Sequence, residues 1–181
     1  ASAATVQIAH RYRMTADVYG VTMDGNGWDL QAGLERMMLG LLPALAGADN
    51  LSGMGGAWEN AASMEMLVLD NEVYGDIFRT LRGIDVDPDR ISEDLIDRVG
   101  PMGSFLGQRH TLDFLRRGEV RNSPLWDKRT MDRARAEGLR PIQEAAKDAV
   151  RRILKDHVPT PLDRDVDAQL SSIVRAGSKR L

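Results

Sequence analysis

Cysteine is absent from the 181-residue chain. That excludes disulfides, thiol nucleophiles and every cysteine-ligated zinc or iron–sulfur centre, and it fits a cytoplasmic protein. Histidine is scarce, at 3 residues. His10 and His157 fall in helical stretches with no second ligand at i+4, so no metal site is expected. Aromatic residues make up only 5%. Phe114 and Trp126 interleave too thinly with the basic stretch Arg109, Arg116, Arg117, Arg121, Lys128 and Arg129 for nucleic acid. The net charge of -3 gives no basic field for it either. That stretch reads as solvated helix faces or as a dock for an acidic partner.

Long apolar runs are also missing. The longest, Met37 to Ala48, is too short to span a membrane and contains Pro43, so a buried helix is expected. Ala1 to Tyr12 has no apolar core, so no secretory signal is read there. There is no low-complexity tract and no internal repeat. Hydrophobic residues at 43% and charged residues at 28% are ordinary for a soluble globular chain, and the length suffices for a domain with a core.

Periodicity predicts a helix over Ser2 to Tyr12 with Val6, Ala9 and Ile8 inward, and a strand over Thr15 to Met23. Asp24-Gly25-Asn26-Gly27 is a turn cluster. Asp29 is a plausible N-cap for a helix with an apolar stripe of Leu30, Leu34, Met37, Met38, Leu41, Leu42 and Leu45, with Gly47 ending it and Pro43 kinking or shortening it. Asn50 to Met54 reads as a short strand. Ser63 to Leu81 reads as a long helix with Leu67, Val73, Tyr74, Ile77, Phe78 and Leu81 on its apolar face, ended by Gly83. Ile91, Leu95 and Val99 mark a shorter helix. Pro141 opens another, with Ile142, Ala146, Ala149, Ile153 and Leu154, and Leu162, Val166, Leu170, Ile173 and Val174 give the last. Strands alternating with helices argue for βα units and a parallel sheet. Two or three strands leave such a sheet unfinished, with open edges.

Three stretches resemble the trimethylamine methyltransferase family, including relatives that lack pyrrolysine. The first is Asp29-Leu30-Gln31-Ala32-Gly33. The second runs from Ala44-Leu45-Ala46-Gly47-Ala48 through Gly55-Gly56 and Glu59 to Leu69-Asp70-Asn71-Glu72 and Leu81-Arg82-Gly83-Ile84. The third is Val99-Gly100-Pro101, Gly103, Phe105-Leu106-Gly107 and His110-Thr111-Leu112. The resemblance implies the C-terminal part of a TIM-like (β/α)8 barrel, α/β and α-rich. Residues 1–110 would be late βα units and 111–181 a helical extension packed on the same domain. It implies transfer of a methyl group from an N-methylated amine to a corrinoid (cobalamin) presented by a carrier protein. This chain has no Asp-x-His-x-x-Gly motif to ligate cobalt itself. The family's pyrrolysine falls at or near Asn26, so a quaternary amine such as glycine betaine is the expected substrate. A second departure is Ser104, where a larger polar residue is usual.

Binding a quaternary cation calls for aromatic faces and a counter-charge, carried on the loops after barrel strands. The first loop offers Asp24, Asn26 and Trp28, unless Trp28 simply packs on the helix and Asp24 caps it. The second, with Gly53, Gly55, Gly56, Trp58 and Glu59, lets a ligand approach the backbone, unless it is only a tight loop. It matches neither nucleotide fingerprint. His110 is a substrate or corrinoid contact, or a capping or surface residue. Of Asp70, Asn71 and Glu72, no single helix face holds all three. Two other readings stay open: a non-catalytic truncated subunit, as a homo-oligomer or with a missing N-terminal half, and a phosphate-binding barrel enzyme.

Overall fold

A computed structural model describes residues 1–25, 27–57 and 61–178. Residues Ala1–Val150 form one compact unit, and the chain from Arg151 onward forms a second. The first unit opens with α1 (Ser2–Arg11), β1 (Asp17–Tyr19), α2 (Leu30–Leu45) and β2 (Asn50–Ser52). β1 and β2 pair in parallel, Asp17 beside Asn50, Val18 beside Leu51 and Tyr19 beside Ser52. With α2 as the crossover they make one βαβ unit.

A small antiparallel hairpin follows, β3 (Gly56–Ala57) against β4 (Ala61–Ala62). The long α3 (Met64–Arg82) comes next, then α4 (Pro88–Ile91), α5 (Glu93–Val99), α6 (Arg109–Arg116), α7 (Met131–Glu137), α8 (Ile142–Asp156) and α9 (Arg164–Ser178). The class is therefore α-rich α/β. Among the described residues no helix is long and apolar enough to cross a membrane.

Capping chemistry sets the helix starts. The Asp29 carboxylate accepts from the Ala32 N–H at 3.0 Å, and the Ser63 hydroxyl from the Met66 N–H at 3.2 Å. Gly83, at φ +71°, ends α3. Pro43 does not stop α2 early: the helix runs on through it to Leu45, without the one hydrogen bond that its missing N–H would have made to the Leu39 carbonyl. The predicted strand over Thr15 to Met23 contracts to Asp17–Tyr19, because only these residues find a parallel partner. Val21 and Met23 continue inward but leave the ladder. The helix marked by Ile91, Leu95 and Val99 is broken at Ser92, which is left-handed at φ +57°.

The helix faces differ most from expectation. α2 buries Ala32, Arg36, Gly40 and Pro43, while Leu30, Leu34, Met38, Leu42 and Leu45 are exposed. The two sets lie on opposite sides of a 3.6-residue helix. Small residues admit close packing: a Cβ on Gly40 would sit 2.7 Å from the Ile77 Cδ1. α3 likewise buries Met66, Leu69, Asp70, Glu72 and Ile77, leaving Leu67, Phe78 and Leu81 exposed. Ile8 in α1 is exposed, whereas Val6 is fully buried. Ile153, Leu154 and the apolar side chains of α9 are exposed as well.

Candidate functional site

β1 and β2 end side by side at Tyr19 and Ser52. Each runs into a glycine, Gly20 and Gly53, and then into a loop that feeds a helix N-terminus. In parallel α/β architecture this is where ligands bind.

Loop one is held by its own helix. The Asp24 and Gly25 N–H groups donate to Glu35 Oε2 at 2.8 and 3.1 Å, and Gln31 Nε2 donates to Glu35 Oε1 at 2.7 Å. The Gln31 bond and then the two backbone donors hold the Glu35 carboxyl below the usual glutamate range. Loop two needs positive φ at Gly53 (+94°) and Gly55 (+76°), a region natural to glycine. Gly56 N–H closes it onto the Gly53 carbonyl at 3.1 Å, and Ser63 N–H donates to the Gly55 carbonyl at 2.9 Å.

One buried ion pair ties the loops together. Arg36 on α2 and Asp70 on α3 are 4% and 0% exposed. Arg36 Nη1 donates to Asp70 Oδ1 and to the Val21 carbonyl of loop one at 3.2 Å. Arg36 Nη2 donates to the Gly56 carbonyl of loop two. The other Asp70 oxygen accepts the Gly55 N–H at 2.7 Å. Burial pushes the Asp70 carboxyl up, against the Gly55 N–H and the Arg36 guanidinium beside it, which both pull it down. The arrangement is a stiff, internally neutral clamp that fixes the backbone of both loops. Arg36 Nε is buried with no partner among the described residues.

The residues singled out from the sequence separate into three places. Gly53, Gly55 and Gly56 lie on the clamped loop, and Asp24 on the neighbouring one. Trp28 packs into a hydrophobic cluster with Met23, Ala32, Met66, Leu69 and Ala146, joined by Trp126 and Ile142. A mostly apolar cavity of about 200 Å³ lies there between the two tryptophans. His110 sits elsewhere, its ring nitrogen 2.7 Å from the Asp89 carbonyl of α4 and its ring 4.4 Å from that of Phe114. Asn26, Trp58 and Glu59 lie outside the described residues.

The basic stretch is largely paired within the chain. Arg121 joins Glu72 and Asp76, Arg129 joins Asp127 and Glu137, and Arg117 joins Asp89. Arg109 and Arg116 both approach Asp113, and Lys128 donates to the Arg121 carbonyl at 3.2 Å. No cluster of His, Asp or Glu that could hold a metal occurs among the described residues.

Sequence reasoning missed Arg36. The signal available was its spacing: it falls in line with Ala32, Gly40 and Pro43, on a small-residue stripe that no solvated arginine would need to share.

Residues 1–180 match the family described as trimethylamine methyltransferase (MTTB). The chain belongs to this trimethylamine methyltransferase family. It is 32% identical over 179 residues to "Trimethylamine methyltransferase MttB" of Methanosarcina barkeri, covering 98% of this chain and 36% of that protein. It is 34% identical to "Trimethylamine methyltransferase MttB2" of Methanosarcina mazei, over 96% of this chain and 35% of that one. It is 30% identical to "Glycine betaine methyltransferase" of Desulfitobacterium hafniense, over 98% of this chain and 37% of that one. The chain thus spans little more than a third of the length of these relatives.

Proposed function

We propose that this chain supplies part of the active site of a methyltransferase that takes a methyl group from an N-methylated amine. In this reading the amine is quaternary, of the glycine betaine type, and the methyl acceptor is a reduced corrinoid delivered by a separate protein. The observation that carries the proposal is the family match over residues 1–180, whose relatives are named for both a tertiary and a quaternary amine. Asn26, at or near the family's pyrrolysine position, favours the quaternary substrate.

The βαβ unit supports the architectural part of the reading, a segment of a TIM-like barrel. β1 and β2 are parallel, their crossover is helical, and the loops that follow them are joined by one buried clamp. A two-stranded parallel sheet with both outer edges unpaired among the described residues is a unit that pairs further in a closed barrel.

The chemistry asked of these loops is positioning. When the methyl carbon leaves a quaternary nitrogen, the C–N electron pair stays on nitrogen and the amine departs neutral. The reduced acceptor supplies the pair for the new bond, and no proton moves. The protein needs to hold the cation, aim one methyl outward and exclude water. Rigid loop backbone serves that purpose, and the Arg36–Asp70 clamp provides the rigidity without leaving net charge to repel the cation.

The test uses free cob(I)alamin as the acceptor, with glycine betaine, choline, carnitine and trimethylamine as donors. Calorimetric binding of each donor is measured in parallel, with inorganic phosphate as a further arm. Amine-dependent loss of the cob(I)alamin absorbance, requiring the protein, is the expected result. Neither binding nor turnover with any amine would overturn the reading and leave the non-catalytic alternative. Binding of phosphate alone would point to a different class of ligand.

A further inference from the structure

The sheet has a second face. Val18 is buried among Val6 and Ala16, with Ala9, Ala46, Ala48 and Leu51 packed around them. Side chains alternate along a strand, so Asp17 and Tyr19 point to the side away from the helices. The parallel register sets Asn50 next to Asp17 and Ser52 next to Tyr19. That face is therefore polar throughout. In a parallel barrel the corresponding face is normally filled with bulky branched residues that close the core.

These four side chains make no hydrogen bond or ion pair with other described residues. Tyr19 is 67% exposed, yet its ring is not loose. It rests against loop two, where a Cβ added to Gly53 would lie 2.9 Å from its Cδ1. The missing side chain at Gly53 thus makes room for the ring at the C-terminal end of β1. Asp17 lies two residues back on the same face, roughly 6.6 Å along the strand. No cationic residue shares the face.

We propose that this face is the wall that holds the substrate's methylated ammonium group, with the Tyr19 ring against the methyls and the Asp17 carboxylate as counter-charge. The inference rests on the methyltransferase reading and adds residues to it. A quaternary ammonium has no N–H to donate, so hydrogen-bonding groups cannot grip it directly. An aromatic face and a nearby carboxylate are what remain to recognise it. The same pair disfavours an anion, which Asp17 repels. Asn50 and Ser52 then line the floor and are free to meet the polar end of the amine.

The test is calorimetric titration of choline and of its neutral isostere 3,3-dimethylbutan-1-ol into the chain and its Tyr19→Phe, Tyr19→Leu and Asp17→Asn variants. Circular dichroism checks folding, which these exposed positions are not expected to disturb. Tyr19→Phe keeps the ring and should bind choline within about twofold of the parent. Tyr19→Leu should weaken choline by about 3- to 30-fold. Asp17→Asn should weaken choline but not the neutral isostere. Choline binding that survives Tyr19→Leu and Asp17→Asn unchanged overturns this inference alone. A parent chain that binds no ammonium compound overturns both this inference and the methyltransferase reading.

Discussion

Replacing Asp70 with alanine leaves the Arg36 guanidinium buried and unpaired, and the structure allows the consequence to be worked through. The two side chains are 5% and 0% exposed, so water cannot easily take over either role. Removing one partner of such a pair costs about 3–5 kcal/mol, because the surviving charge stays in a poor solvent. The Gly55 N–H loses its acceptor as well, which adds to the cost unless the loop opens to water. For a chain of this size each kcal/mol moves the thermal midpoint by about 2–4 °C. Asp70→Ala should therefore lower it by roughly 6–20 °C. The assay is thermal unfolding for the midpoint and urea unfolding for the free energy, both followed by circular dichroism and extended to a double-mutant cycle with Arg36→Met and Asp70→Leu. The double variant removes both charges and should be less damaged than the two single costs summed, with a coupling of 2 kcal/mol or more expected on the order of magnitude seen for buried pairs. A cost for Asp70→Ala below about 1 kcal/mol, with negligible coupling, would refute the reasoning. The pair would then behave like a hydrated surface bridge, and the claim that it clamps both loops would fall.

Three further expectations follow from local geometry. A Cβ on Gly75 would collide with the Arg121 guanidinium, so Gly75→Ala should push Arg121 off Glu72 and Asp76 and speed proteolysis between residues 118 and 130; an unchanged digestion pattern would count against Arg121 as the tie between this segment and α3. Asp127 is lowered to about 2, chiefly by the Arg129 side chain. Its contribution to stability is present above its ordinary value of 3.8 and is lost as pH falls through about 2, so the melting difference between parent and Asp127→Asn should shrink between pH 4 and 2; a constant difference over that range would exclude this origin. Leu34→Lys and Met38→Lys on the exposed stripe of α2 should change unfolding free energy by no more than about 0.5 kcal/mol, and a loss of several kcal/mol would mean that the stripe is covered in the folded chain.

Much of the local structure was legible because it is written in neighbouring residues. Asp29, Ser63 and Gly83 mark helix ends through side-chain oxygens and positive φ, which need no knowledge of the rest of the fold. Gly53 and Gly55 of loop two mark a backbone that only glycine adopts easily. Strand extent was less legible: Thr15 to Met23 has β character throughout, but a strand ends where its partner does, and that partner lies beyond residue 49. The clamp was not legible for the same reason. Arg36 and Asp70 are 34 positions apart, and each alone reads as a solvated helix charge. Only their pairing across α2 and α3 makes burial of either affordable. Tyr19 and Asp17 were within reach of a period-two reading, but a residue's value at a site depends on which strand face stays open, and burial of Val18 decides that.

The reversal of α2 shows where periodicity stops being informative. Its sequence carries two opposed stripes, one of leucine and methionine and one of Ala32, Arg36, Gly40 and Pro43. A hydrophobic count selects the first as the inward face. The structure selects the second, because closeness of approach matters more here than apolar area. Gly40 lets the helix lie against Ile77 and Val21, and that approach brings Arg36 within reach of Asp70, Val21 and Gly56 at once. A leucine stripe in the same place would hold the backbone farther off and leave the arginine no route to loop two. The small residues and the buried charge are thus one feature. Enlarging Gly40 should loosen the loops as well as the packing, which a rise in amide exchange at Gly55 together with lowered stability would reveal. A Gly40→Val variant that lost stability but kept Gly55 protected would separate packing from the clamp and contradict that link.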